Sequence, residues 1–124
     1  MKVLFLCIIM FVSAAESKEG KKPKKKDTKV TVQKITDRIH MLQGQGGNIG
    51  MLSGPDGVIL IDDQYPQMSK AIKDKVSSMS KKPIKFVLNT HWHGDHSGGN
   101  EAMAEAGAAI VAHENVRKRM STDQ

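Results

Sequence analysis

Short apolar segments in which hydrophobic and polar residues alternate begin at residue 30 and continue to residue 52, with glycines between the later ones. Alternation places successive side chains on opposite faces of a strand, so the pattern predicts a β-meander. The stretch SGPDGVILID then combines a Pro-Asp-Gly turn with an aliphatic strand from Val58 to Ile61. A strand that is apolar at four successive positions is expected to be buried on both faces.

The spacing becomes helical between Pro66 and Ser80, where apolar residues recur every three or four positions and lysines occupy the others. This spacing predicts an amphipathic helix, which Pro83 prevents from continuing. A second buried strand (IKFVLNT), the loop HWHGDHSGG, a short alanine-rich helix, the strand AAIVA and a last helical start (HENVRKRM) follow. This order predicts an α/β fold in which helices cover a sheet.

The amino terminus carries the features of a secretory signal peptide. An apolar run from Val3 to Val12 follows Lys2 and precedes the small residues Ser13, Ala14 and Ala15. Ten residues span about 15 Å as a helix, roughly half of a hydrocarbon core, so a retained membrane anchor is the less favoured alternative. We expect residues 1–15 to be removed and the protein to be periplasmic or secreted, without a stable membrane span.

Residues 16–29 form a lysine-rich segment that has no aliphatic residue. Such a segment cannot bury apolar area, so we expect a solvated linker between the signal peptide and one domain at 30–124. The first 29 residues hold eight lysines and three acidic residues, and therefore most of the formal net charge of +6. Adhesion to an anionic surface is the alternative, but no aromatic residue stands among the lysines to stack on a base, and no nucleic-acid partner is expected.

Four potential metal ligands, His91, His93, Asp95 and His96, stand together in HWHGDH, which contains three of the five histidines. Residues two apart in extended backbone project to the same side, so His91 and His93 can converge on one cation while Asp95 and His96 face a second. Imidazole nitrogen and carboxylate oxygen suit Zn²⁺, and also manganese or iron. The loop follows a buried strand, where open α/β sheets bind ligands. The alternative is a polar surface loop.

The segment from Thr90 to Asn100 resembles the hallmark of the metallo-β-lactamase-fold hydrolases, T-H-x-H-x-D-H followed by x-G-G, with no departure at a ligand position. The resemblance implies a four-layer αββα sandwich with one or two metal ions between its sheets. It also implies that Asp62, which ends VILID, is buried and supports the metal-binding loop without binding metal. The alternative is an exposed strand-end carboxylate, since the neighbouring Asp63 is assigned no role.

The family takes a third histidine for the first metal well downstream, and a later aspartate and histidine for the second. Only 28 residues follow His96 here, and their one histidine, His113, opens a helical stretch, where it is favoured as a helix cap rather than a ligand. We therefore expect residues 30–124 to be the truncated amino-terminal part, the first half of the sandwich.

For the intact protein, the predicted signal peptide and the resemblance together imply a secreted zinc-dependent hydrolase whose nucleophile is a metal-bound hydroxide. His91 and His93 would hold the first metal and Asp95 and His96 the second, with Asp95 also orienting the attacking water as the catalytic residue. The small-molecule substrate would be an ester, thioester, amide (β-lactam) or phosphodiester. The alternative is a non-catalytic fragment or metal-binding module that needs a missing carboxy-terminal half, and the chain alone is expected to be inactive.

Overall fold

A computed structural model describes residues 28–122, so the predicted signal peptide and all but the last two residues of the predicted linker lie outside the described residues. The described strands form one six-stranded sheet in chain order. Strands β1 to β4 pair antiparallel, and β4, β5 and β6 pair parallel, which confirms the predicted meander and the α/β class. The strands are β1 Thr31–Lys34, β2 Ile39–Gln43, β3 Ile49–Ser53, β4 Val58–Ile61, β5 Ile84–Asn89 and β6 Ala109–Ala112.

The helices follow the predicted order with one addition. Helix α1 (Ser69–Met79) is preceded by a 3-10 turn at Pro66–Met68, and its periodic apolar side chains face the core as expected. The segment expected to be an extended loop contains a single helical turn, α2 (Gly94–Ser97). Helices α3 (Asn100–Glu105) and α4 (Glu114–Met120) flank β6.

Within residues 28–122 the sheet is covered on one face only. Helix α1 connects β4 to β5 and α3 connects β5 to β6, and because such parallel crossovers are right-handed, both helices lie on the same side. The core fills the space between them and the sheet, and its largest fully buried side chains include Leu42, Ile49, Met51, Leu60, Met68, Ile72 and Met103. In β4, Val58 and Leu60 are fully buried but Ile61 is 40% exposed. The expectation that this strand is buried on both faces is therefore wrong for the described chain.

The uncovered face of the sheet is also apolar. Along each strand, the side chains on this face alternate with those that point into the core, and the strand pairing places them side by side. The large exposed ones are Ile39, Leu52, Ile61, Phe86 and Val111. In a four-layer αββα sandwich, a second sheet packs on this face. One helical layer and one sheet are the first half of that fold, as predicted. No helix among the described residues is long and apolar enough to span a membrane.

Candidate metal centre

Residues 62–64, directly after β4, form the floor beneath the HWHGDH loop. The Asp62 amide donates to the Leu88 carbonyl oxygen (3.0 Å), and the Asp63 amide donates to that of His96 (2.8 Å). Asp62 and Gln64 have φ angles of 65° and 61°. This left-handed region costs a non-glycine residue about 1–3 kcal/mol, so the floor needs contacts that stabilise its shape.

Asp62 is buried, with 4% of the residue exposed, and its carboxylate accepts three hydrogen bonds. The amide of Thr90 donates to Oδ1 at 2.8 Å, and the Thr90 hydroxyl donates to Oδ2 at 2.8 Å. The ring of His96 approaches Oδ2 through Nδ1, also at 2.8 Å. Because Nδ1 is engaged in this way, Nε2 of His96 is the nitrogen that can bind a metal.

Asp63, for which the sequence predicts no role, is fully buried beside Asp62. The Gly99 amide donates to its Oδ1 at 2.9 Å, which ties the end of the HWHGDHSGG segment to the floor. The pKa of Asp63 is raised to about 7, chiefly by burial; the Gly99 hydrogen bond lowers this pKa and the charge of Asp62 raises it, and both effects are included in that value. A second carboxylate directly after a buried aliphatic strand was the one sequence signal for this contact.

The three histidine rings of the loop form a cluster with His91 in its centre. The His91 ring centroid lies 4.0 Å from that of His96 and 4.8 Å from that of His93. Asp95 Oδ2 lies 3.4 Å from His96 Nε2, and the Thr90 hydroxyl oxygen lies 3.0 Å from His91 Nδ1. His91 therefore lies beside its predicted partner His93 and also beside His96 of the other predicted pair. This is because the α2 turn carries Asp95 and His96 back towards the strand end.

The donor chemistry of this cluster fits zinc, which prefers imidazole nitrogen and carboxylate oxygen. Thr90 and Asp62 engage Nδ1 of His91 and His96, which leaves Nε2 of both rings as the donor atom. In residues 28–122, however, no three His, Cys, Asp or Glu side chains are placed so that they could hold a metal ion. His113 caps α4, as expected, with Nδ1 accepting from the Asn115 amide at 3.1 Å.

A six-stranded sheet with helices on one face and a histidine-rich loop at the carboxyl end of a parallel strand matches the first half of the metallo-β-lactamase fold. The model of the metallo-β-lactamase superfamily matches residues 42–124, and the chain belongs to this superfamily. Among sequences, the chain is 45% identical over 42 residues to the hydroxyacylglutathione hydrolase of Erythrobacter litoralis, a match that covers 33% of this chain and 17% of that relative.

Solved structures of metallo-β-lactamases share the fold. A subclass B3 enzyme of Bradyrhizobium japonicum superposes with a TM-score of 0.62 at 33% identity, over 70% of this chain and 34% of that one. The mono-zinc form of FIM-1 from Pseudomonas aeruginosa superposes with a TM-score of 0.68 at 25% identity, over 76% of this chain and 46% of that one. The chain thus spans less than half the length of each protein named here.

Proposed function

We propose that the full-length protein is a secreted, zinc-dependent hydrolase of a small-molecule substrate. The observation that carries this proposal is the cluster of three imidazoles on a floor whose carboxylate, Asp62, engages the ring of His96 at 2.8 Å. A buried carboxylate that orients an imidazole is the usual support of a metal-binding histidine in proteins. Membership of the metallo-β-lactamase superfamily supports the same chemistry.

In this proposal His91 and His93 hold one metal ion, and Asp95 and His96 contribute to a second. The metal is one or two zinc ions, with manganese or iron as the other ions that suit these ligands. When bound, zinc supplies the nucleophile, since it lowers the pKa of water from about 15.7 to about 7. The Asp95 carboxylate, whose side chain is partly exposed beside His96 Nε2, orients the attacking water.

The substrate class follows from the chemistry that the named relatives share. Hydroxyacylglutathione hydrolase, by its name, cleaves a glutathione thioester, and the β-lactamases cleave a cyclic amide. Both are acyl transfers to water, so we propose a thioester, an ester or an amide (β-lactam) first and a phosphodiester second. The 124-residue chain by itself is proposed to be non-catalytic, because its described residues do not bring three ligands together.

The experiment measures hydrolysis of chromogenic thioester, β-lactam, ester and phosphodiester substrates by the full-length protein, before and after chelation. We expect activity on at least one substrate, its loss on chelation and its recovery with zinc. His91→Ala should abolish the activity, whereas the matched variant His113→Ala, which alters only a helix cap, should retain it. Activity that is unchanged in His91→Ala would contradict the proposal, and so would equal activity of the isolated 124-residue chain.

Secretion is proposed from the apolar run in residues 1–15. The mature protein should then begin near Ala15 or Glu16, and intact mass of the protein recovered outside the cytoplasm measures this directly. An exported product that still contains Met1 would contradict it.

A further inference from the structure

The loop at residues 44–48, which joins β2 to β3, packs directly against Asp95 and His96. The Gly47 amide donates to the Asp95 carbonyl oxygen at 3.3 Å. A Cβ atom added to Gly46 would lie 2.7 Å from that same oxygen, and one added to Gly47 would lie 2.5 Å from His96 Cε1. The backbone of the loop therefore lies so close to Asp95 and His96 that a Cβ atom at position 46 or 47 would force its neighbour to move.

The side chain of Gln64 lies beneath this loop and binds it by both ends of its amide. Gln64 Oε1 accepts from the Gly46 amide at 3.3 Å, and Gln64 Nε2 donates to the Gly47 carbonyl oxygen. The side chain is fully buried, and a Cβ on Gly44 would lie 2.6 Å from Oε1, so the amide fills the space under the loop.

The backbone of Gln64 has a left-handed conformation that is unfavourable for glutamine. Its φ angle of 61° lies in the region that glycine adopts without cost and that glutamine does not. The contacts of the glutamine side chain must therefore offset this backbone cost. The hydrogen bonds of that side chain are the two that it makes to the loop.

We infer that Gln64 is a positioning residue whose amide fastens the 44–48 loop to the floor of the site and thereby holds Asp95 and His96 in place. Gln64 itself touches neither of these two side chains in the described hydrogen bonds; it acts through Gly46 and Gly47. The inference rests on the proposed function for the statement that Asp95 and His96 bind metal. The fastening of the loop is independent of it.

Amide hydrogen exchange in the metal-free full-length protein tests the fastening without metal or substrate. Gln64→Met keeps the length of the side chain and removes both hydrogen bonds, and Gln64→Gly also relieves the backbone cost, so at least one variant should fold. We expect the amides of Gly46 and Gly47 to exchange at least about tenfold faster in both variants. The matched control is Gln67→Met, because Gln67 Nε2 donates to Gln45 Oε1 of the same loop at 3.0 Å but on the surface. Its effect should be less than about twofold.

The second readout follows the effect to the ligands. In the cobalt-substituted protein, Gln64→Gly should alter the visible spectrum of the metal that Asp95 and His96 hold, and should lower kcat with little change in KM. Unchanged exchange at Gly46 and Gly47, or an equal effect of Gln67→Met, would overturn the inference. So would faster exchange with an unchanged cobalt spectrum. If the unaltered protein binds no metal, the proposed function fails while the exchange result still decides the role of Gln64.

Discussion

The substitution Asp62→Asn isolates the part of the site that orients His96. The carboxylate oxygen Oδ2 accepts from His96 Nδ1 at 2.8 Å, so the ring proton lies on Nδ1 and Nε2 carries the lone pair. In the variant, the amide of Thr90 still requires an acceptor at the position of Oδ1. The asparagine NH₂ group then faces His96, and because it donates, the ring proton must move to Nε2. A protonated Nε2 cannot bind a metal.

The size of the effect follows from comparable carboxylate–histidine contacts at metal sites, where loss of the carboxylate lowers metal affinity about 10- to 100-fold. This corresponds to about 1.4–2.8 kcal/mol. Zinc affinity of the full-length protein is measured by competition with a chromophoric chelator, and the His96 tautomer of the metal-free protein is measured by ¹⁵N NMR. The control is Asp37→Asn, whose side chain is 94% exposed. Unchanged zinc affinity together with a proton that stays on Nδ1 would refute the reasoning.

Two further substitutions separate stability from metal binding. Burial raises the pKa of Asp63 to about 7 from 3.8, so the folded protein binds a proton that the unfolded chain has released, and stability falls as the pH rises from about 4 to about 7. Across this range the free energy of unfolding of the metal-free protein should fall by up to about 4 kcal/mol relative to that of Asp63→Asn, as measured by urea unfolding at several pH values. A difference in unfolding free energy that does not vary with pH would contradict this. His113→Ala should lower the unfolding free energy by about 1 kcal/mol through loss of the α4 cap, with zinc affinity unchanged; a drop in zinc affinity would show instead that His113 is a ligand.

The strands and α1 could be predicted because their signals are local. Alternation in β1 to β3 and three- to four-residue spacing in α1 depend on which side of each element faces the core. The burial of β4 could not be predicted in the same way. Its sequence VILI is apolar at every position, and no local signal shows whether the second face is covered by residues inside or outside 28–122.

The candidate site also combines residues that a local sequence pattern predicts with contacts that it does not. The four predicted ligands lie within six consecutive residues, so the local sequence predicts that they are close together: His91, His93, Asp95 and His96. The contacts of Asp63 with Gly99 and of Gln64 with the loop at 44–48 join segments that are distant in sequence. The Asp63 contact arises only when β4 and β5 pair in register, and the Gln64 contact arises only when β3 and β4 do. Both depend on backbone turns after β4 that the aliphatic pattern does not encode.

Zinc binding by the HWHGDH loop is tested most directly by anomalous diffraction at the zinc edge from zinc-loaded crystals of the full-length protein. We expect a zinc peak about 2.0–2.1 Å from imidazole nitrogens of the loop, with Nε2 as the ligating atom of His91 and of His96. A zinc peak at His113 or elsewhere, with His91, His93 and His96 free of metal, would contradict it.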